Sequence, residues 1–146
     1  MRIDFYVLPS REATRWLVFA CRLVEKAYRL KNGVFINTES QAQAQQLDEM
    51  LWTFRDGSFV PHEIVEPGAE LSQASAPVLI GGNAEPASNM DLLVNLAPAV
   101  PTFLDRFERA AEVVDSDAAR RTAARERFKF YREQGYALES HKLNHS

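Results

Sequence analysis

Residues 3–37 read IDFYVLPSREATRWLVFACRLVEKAYRLKNGVFIN, and their periodicity changes twice. Ile3 to Leu8 alternates and is rich in aromatic and β-branched side chains, which predicts a strand ended by Pro9 and Ser10. From Arg11 onward, Ala13, Trp16, Leu17, Ala20, Val24, Ala27 and Tyr28 keep helical spacing until Asn32-Gly33 supplies a stop. Val34 to Asn37 then returns to strand. Strand, helix and strand in that order form the repeating unit of a parallel sheet.

The rest of the chain continues the alternation. Thr38 or Ser40 can cap a helix that carries Leu47, Met50, Leu51 and Phe54 on one side and ends near Asp56-Gly57. Ser58 to Val65 reads as extended around Pro61, which suits an edge or an irregular segment because proline donates nothing to a ladder. Residues 66–76 read as a loop. The apolar runs Pro77 to Gly82 and Leu92 to Leu96 have the pattern of strands covered on both faces, although Gly81-Gly82 itself reads as a turn. Beyond Pro98 and Pro101, Phe103, Leu104 and Phe107 begin a short helix, and Ala111 to Val114 return to strand. Asp115, Ser116 or Asp117 starts a last helix that Gly135 closes, followed by a frayed tail. The expected fold is α/β: one domain over residues 1–146, a mostly parallel sheet with helices on both faces, and a Rossmann-like topology without a nucleotide-binding motif.

That missing motif bears on function. The chain has neither GxGxxG nor GxxxxGK[ST], and the turn after the first strand is Pro9-Ser10-Arg11, with no glycine to let backbone amides approach a phosphate. No serine sits in a GxSxG elbow. His62 has no carboxylate or nucleophile beside it in sequence, and Asp48-Glu49 reads as the solvent side of an amphipathic helix. His141 and His145 share an HxxxH spacing without a third ligand, so no metal or cofactor is expected. The single cysteine, Cys21, lies in the apolar stretch WLVFACRLV and reads as a buried small hydrophobe. Neither a signal peptide nor a membrane span is apparent, which suits a cytoplasmic protein. These readings point to a binding module and away from an enzyme.

Two stretches look adhesive. Residues 120–143 hold seven Lys and Arg against three Asp and Glu, whereas the remainder holds ten against seventeen. Within this basic stretch Arg121, Arg125 and Lys129 are spaced four apart and Arg132 extends their line, with Phe128 and Tyr131 beside it as an aromatic floor and Phe130 directed to the core. Cations rimming an aromatic floor suit an acidic peptide that ends in an apolar residue and a free carboxylate. Spacing alone is equally compatible with the aromatics packing on the sheet and the arginines solvated. It is also compatible with direct binding of single-stranded nucleic acid, against which the acidic whole chain weighs. The second stretch is LDEMLWTFRDGSFVPH, residues 47–62: Trp52 and Phe54 end the helix and Phe59, Val60 and Pro61 follow after a turn, more than one helix end easily buries, so an interface or a tryptophan completing the core both fit.

Together these stretches resemble a known family. FYVL at 5–8, ACRLVEKAY at 20–28, QAQQLDEMLW at 43–52, SFVPH at 58–62, PVLI at 77–80 and RERFKFYREQGY at 125–136 are similar to the chi subunit of the bacterial DNA polymerase III holoenzyme. The resemblance implies a non-catalytic part of the clamp-loader assembly that forms a heterodimer with the psi subunit. It also implies binding of the acidic, Pro-Phe-ending tail of single-stranded DNA-binding protein, with DNA met only indirectly and no membrane partner. Carried over by position, tail-binding residues fall on Val114, Arg121, Arg125, Phe128 and Lys129. The psi surface falls on Trp52, Phe59 and Pro61, which serves a helicase-like partner in some bacteria. Arg121 stands where the family can have lysine and Phe128 where it can have tyrosine; the first keeps the charge and the second removes a hydroxyl.

Overall fold

The computed structural model describes residues 1–65, 76–82, 86 and 90–143. The elements follow in the order β1 (Arg2–Val7), α1 (Ala13–Arg29), β2 (Val34–Thr38), α2 (Gln41–Thr53), β3 (His62–Val65), β4 (Val78–Gly82) and β5 (Met90–Asn95), then a 3-10 turn (Leu104–Arg106), β6 (Phe107–Val114), α3 (Ala118–Glu133) and β7 (Ala137–Lys142). The strands form one seven-stranded sheet, β3-β4-β2-β5-β6-β1-β7, in which every pairing is parallel. The α/β class and the parallel sheet are as the sequence predicts.

Each central strand supplies a core on either side, because successive side chains point to opposite faces. In β2, Ile36 packs with Leu17, Val24, Leu47 and Leu51 of α1 and α2, while Phe35 joins Phe5, Leu93 and Phe107 on the face that α3 covers through Ala124 and Tyr131. Helices therefore lie on both faces, as expected. Cys21, on the buried side of α1, is enclosed, and burial pushes its thiol up to about 12.

Local chemistry sets the element ends. The Ser40 hydroxyl accepts from the Gln43 N–H at 3.1 Å, and the Gln43 side chain accepts from the Glu39 N–H at 3.0 Å, so two otherwise free donors at the start of α2 are satisfied. Asp117, among the three candidates, caps α3 by accepting from the Arg120 N–H at 3.0 Å. Gly135, at φ +84°, closes that helix. Pro61 precedes the edge strand β3, where a missing donor costs least.

Three expectations need correction. The tail after Gly135 is not frayed: β7 pairs with β1 along its length, and the Leu143 N–H still donates to the Val7 carbonyl at 2.9 Å. Its side chains are mostly exposed, so the ladder holds a strand whose residues carry little apolar alternation. Gly81-Gly82 lies within β4 and is not a turn. The predicted helix near Phe103 is a single 3-10 turn, and Phe107 already opens β6, which is longer than expected. The left-handed residue after α1 is Lys31, at φ +66°, one position before Asn32-Gly33, although Asn32 does close the helix, its backbone N–H and side-chain amide donating to the Ala27 carbonyl at 3.0 and 3.2 Å. The predicted loop 66–76 lies outside the described residues except for Ala76.

Gly82 has a packing reason: a Cβ there would meet the Ser40 carbonyl at 3.0 Å and the Gln41 Cα at 3.1 Å. Both obstacles are backbone at the start of α2, which cannot rotate away. Gly82→Ala should therefore cost about 1–3 kcal/mol in denaturant unfolding, a typical overpacking cost; an unchanged midpoint would show that α2 shifts freely.

Candidate functional site

The α3 helix carries six cations, and the structure divides them into two kinds. Arg120 makes a two-pronged pair with Asp115 at 2.9 and 2.7 Å, its guanidinium lying 4.4 Å from the centre of the Trp16 ring. Arg127 is buried: its Nε donates to Glu112 at 3.1 Å and its Nη1 to the Pro98 carbonyl at 2.9 Å. Glu112 is fully buried in β6 and also accepts from the Tyr131 hydroxyl at 2.6 Å and the Asn95 amide at 3.0 Å. The Asn37 amide extends the chain to Asn95 at 3.0 Å. Burial raises the Glu112 carboxyl above its ordinary range, and Arg127 with these hydrogen bonds opposes that shift. Arg127 fastens α3 to the sheet, and Arg120 ties its first turn to the β6–α3 connection and to α1.

Arg121, Arg125, Lys129 and Arg132 are exposed and have no ion pair among the described residues. At about 100° of rotation per residue, Ala124, Arg127, Phe128 and Tyr131 share the inward side, and Arg121, Arg125 and Arg132 stand beyond Phe128 on one flank. Phe128 is half-buried and meets Phe5 edge-to-face at 5.2 Å, in the same apolar cluster as the buried Val114. The structure thus puts Val114 and Phe128 in one floor, with Arg121 and Arg125 on its exposed rim and Lys129 a step further out.

The aromatic assignment shifts by one residue. Tyr131 is a core residue and not part of an open floor, and Phe130, expected inside, is 42% exposed. The reason is Glu112: its oxygens draw Arg127 and Tyr131 inward, and a helix turned to satisfy them swings Phe130 out. A charged residue inside the apolar run AAEVV was the legible signal, since a buried carboxylate requires a partner.

The second surface is open. Trp52 and Phe59 are 47% and 68% exposed, with ring centres 5.6 Å apart, and Pro61 follows the fully buried Val60. Trp52 therefore does not complete the core. It rests 4.4 Å from the His62 ring, which is held by the Val60 carbonyl at 2.6 Å and the Asp48 carbonyl at 3.0 Å, with the Asp48 carboxylate at 3.2 Å. His62 thus has a carboxylate neighbour that sequence adjacency concealed, one α-helical turn before Trp52. Arg55 donates to Glu25 at 2.8 Å and Ser58 also donates to Glu25, tying the segment after α2 back to α1.

Of the HxxxH pair, His145 lies outside the described residues, and His141 meets Asp4 at 2.9 Å. Asp4, Glu139 and His141 offer ligand atoms within 4.8 Å of one another, but Arg2 already pairs with both carboxylates, so the group reads as an ion network joining β1 to β7.

The chain is a doubly wound parallel α/β domain whose described residues include one exposed aromatic surface and one exposed cationic surface. Residues 1–139 match the family described as "DNA polymerase III chi subunit, HolC". The chain is 45% identical over 142 residues to the DNA polymerase III subunit chi of Pseudomonas aeruginosa, spanning 97% of this chain and 96% of that one. It is 35% identical to the Haemophilus influenzae protein of the same name over 92% of both chains, and 32% identical to that of Escherichia coli over 81% and 79%. The chain belongs to the chi subunit family of DNA polymerase III, and hence to DNA replication. Among solved structures, a chain of the complex of S. cerevisiae Dbp5 L327V bound to Gle1 H337R and IP6 superposes with a TM-score of 0.66 at 14% identity, covering 98% of this chain and 42% of that one, a likeness of fold alone. No helix among the described residues is long and apolar enough to cross a membrane.

Arg127→Met would strand the Glu112 carboxylate in the core and should cost about 3–5 kcal/mol in denaturant unfolding. Adding Glu112→Leu should restore most of the loss. If the two changes simply add, the pair does not act as a unit.

Proposed function

We propose that the chain is a non-catalytic accessory subunit that bridges the psi subunit and the acidic C-terminal tail of single-stranded DNA-binding protein. Through psi it joins the clamp-loader assembly, and it meets DNA only through its partners. The observation that carries this reading is the division of the α3 cations: Arg120 and Arg127 are spent inside the fold, whereas Arg121, Arg125, Lys129 and Arg132 remain unpaired among the described residues beside a half-buried phenylalanine.

Arg125 grips the terminal carboxylate of the tail through its planar fork. The final phenylalanine of the tail lies on Val114 and Phe128. Arg121 and Lys129 attract the upstream aspartates at longer range. Phe128 offers a ring without a hydroxyl, so affinity at this position comes from packing alone. Trp52 and Phe59 supply paired aromatic anchors for psi, with Pro61 as a rigid neighbour. The two surfaces rest on α3 and on the segment from α2 to β3, so each can be lost without the other.

Titrating a labelled acidic peptide ending in Pro-Phe should give roughly micromolar affinity that weakens with salt and vanishes without the final phenylalanine. Arg125→Ala should weaken binding by about 2 kcal/mol. Absence of binding by the unaltered protein would overturn the tail reading.

Trp52→Ala should abolish co-purification with psi while leaving peptide affinity within about twofold, because the indole is already open to solvent. Retained co-purification would remove Trp52 from the psi surface.

A further inference from the structure

We infer that Lys142, the last residue of β7, is a further cation of the acidic-peptide cleft, facing Arg121 and Arg125 across its floor. The inference rests on the tail-binding reading above and adds a second wall to it. Parallel register lines up Val114 of β6, Val7 of β1 and Lys142 of β7 in one row across the sheet. Residues in register point to the same face, and alternation decides which. Two residues earlier Phe5 packs under Phe128, and Leu138 of β7 belongs to the same apolar cluster, so Val7 and Lys142 face α3. Glu139 and His141 face the other way, toward Asp4 and Tyr6.

The course of α3 brings its free cations over this row. The helix leaves the C-terminal end of β6 and returns to the start of β7, so it runs against the strands. Arg127 reaches Glu112 on β6 and the Pro98 carbonyl beyond β5, which leaves the opposite flank, with Arg121, Arg125 and Arg132, leaning over β1 and β7. The Val7 row lies about 7 Å further along the strands than Phe5. At about 1.5 Å per residue, the part of α3 above it comes about a turn before Phe128, between Arg121 and Arg125.

Val114 and Lys142 are two strand spacings apart, about 10 Å, room for one extended chain between helix and edge strand. Lys142 is exposed and has no ion pair among the described residues. The acidic residues of α3, Glu126 and Glu133, fall on its solvent side, away from this flank. The floor therefore meets positive charge from both walls, and aspartates on alternate sides of an extended peptide can each find a cation. Residues 120–143 form the basic stretch of the sequence, and Lys142 is the one cation in it that the helix does not carry.

The test uses the full chain and two labelled peptides, both ending in Pro-Phe: one rich in aspartate and one with asparagine in place of the aspartates. Lys142→Glu is compared with Lys26→Glu, an equal charge change on the exposed side of α1, and with Lys142→Arg, which keeps the charge. Lys142→Glu should weaken the aspartate peptide at least about fivefold more than Lys26→Glu at low salt. Lys142→Arg should bind as the unaltered protein does, and the asparagine peptide should not discriminate among the variants. Equal losses for Lys142→Glu and Lys26→Glu, or equal discrimination with both peptides, would overturn the inference while leaving the receptor intact. Failure of the unaltered protein to bind the aspartate peptide would instead overturn the receptor reading on which it rests.

Discussion

The pair between Glu112 and Arg127 sets the rotation of α3, and almost everything exposed on that helix follows from it. A fully buried carboxylate must have its lone pairs satisfied, and Glu112 achieves this with one guanidinium, one phenol and one amide. Two of those partners, Arg127 and Tyr131, are i and i+4 on α3 and thus share one side. Once they face inward, Arg121, Arg125 and Arg132 must stand on the flank and Phe130 must stand in solvent. An apolar residue at position 112 would leave the orientation of the helix to weaker apolar contacts.

Nucleotide-binding relatives of this fold use the ends of their central strands for phosphate. Here the corresponding crevice is lined by Trp16, Leu96, Arg120 and Arg127. The two arginines are already paired with Asp115 and Glu112, so the positive charge that a phosphate would use is committed to the fold. Charge available to a partner lies instead on the outer flank of α3. The free charge of this sheet and its helices therefore lies on a different part of the surface from that crevice, and one fold can carry its chemistry at different places.

The aromatic surface has its own support. Val60 is fully buried and His62 nearly so, and they hold the chain on either side of Pro61. The His62 ring is fixed by Val60 and Asp48, and Trp52 rests on it. The exposed rings are thus mounted on buried neighbours. This holds the two exposed rings in fixed positions, and for the proposed psi surface such ordering lowers the entropic cost of association.

The sequence by itself determined the alternation of strands and helices, the parallel class, the helix starts to within Thr38 or Ser40 and Asp115 to Asp117, and the two stretches where chemistry concentrates. Those signals are local: periodicity and capping depend on residues within one or two turns of each other. Only the tertiary structure decided that Trp52 is open, that Phe130 and not Tyr131 is outside, and that β7 exists at all. Burial of Trp52 depends on what the rest of the core leaves uncovered, and the rotation of α3 depends on Glu112, whose partners Arg127 and Tyr131 lie 15 and 19 residues away. An edge strand of polar residues such as Ala137–Lys142 is held by backbone bonds to β1 at the far end of the chain, and no pattern within six residues can announce that.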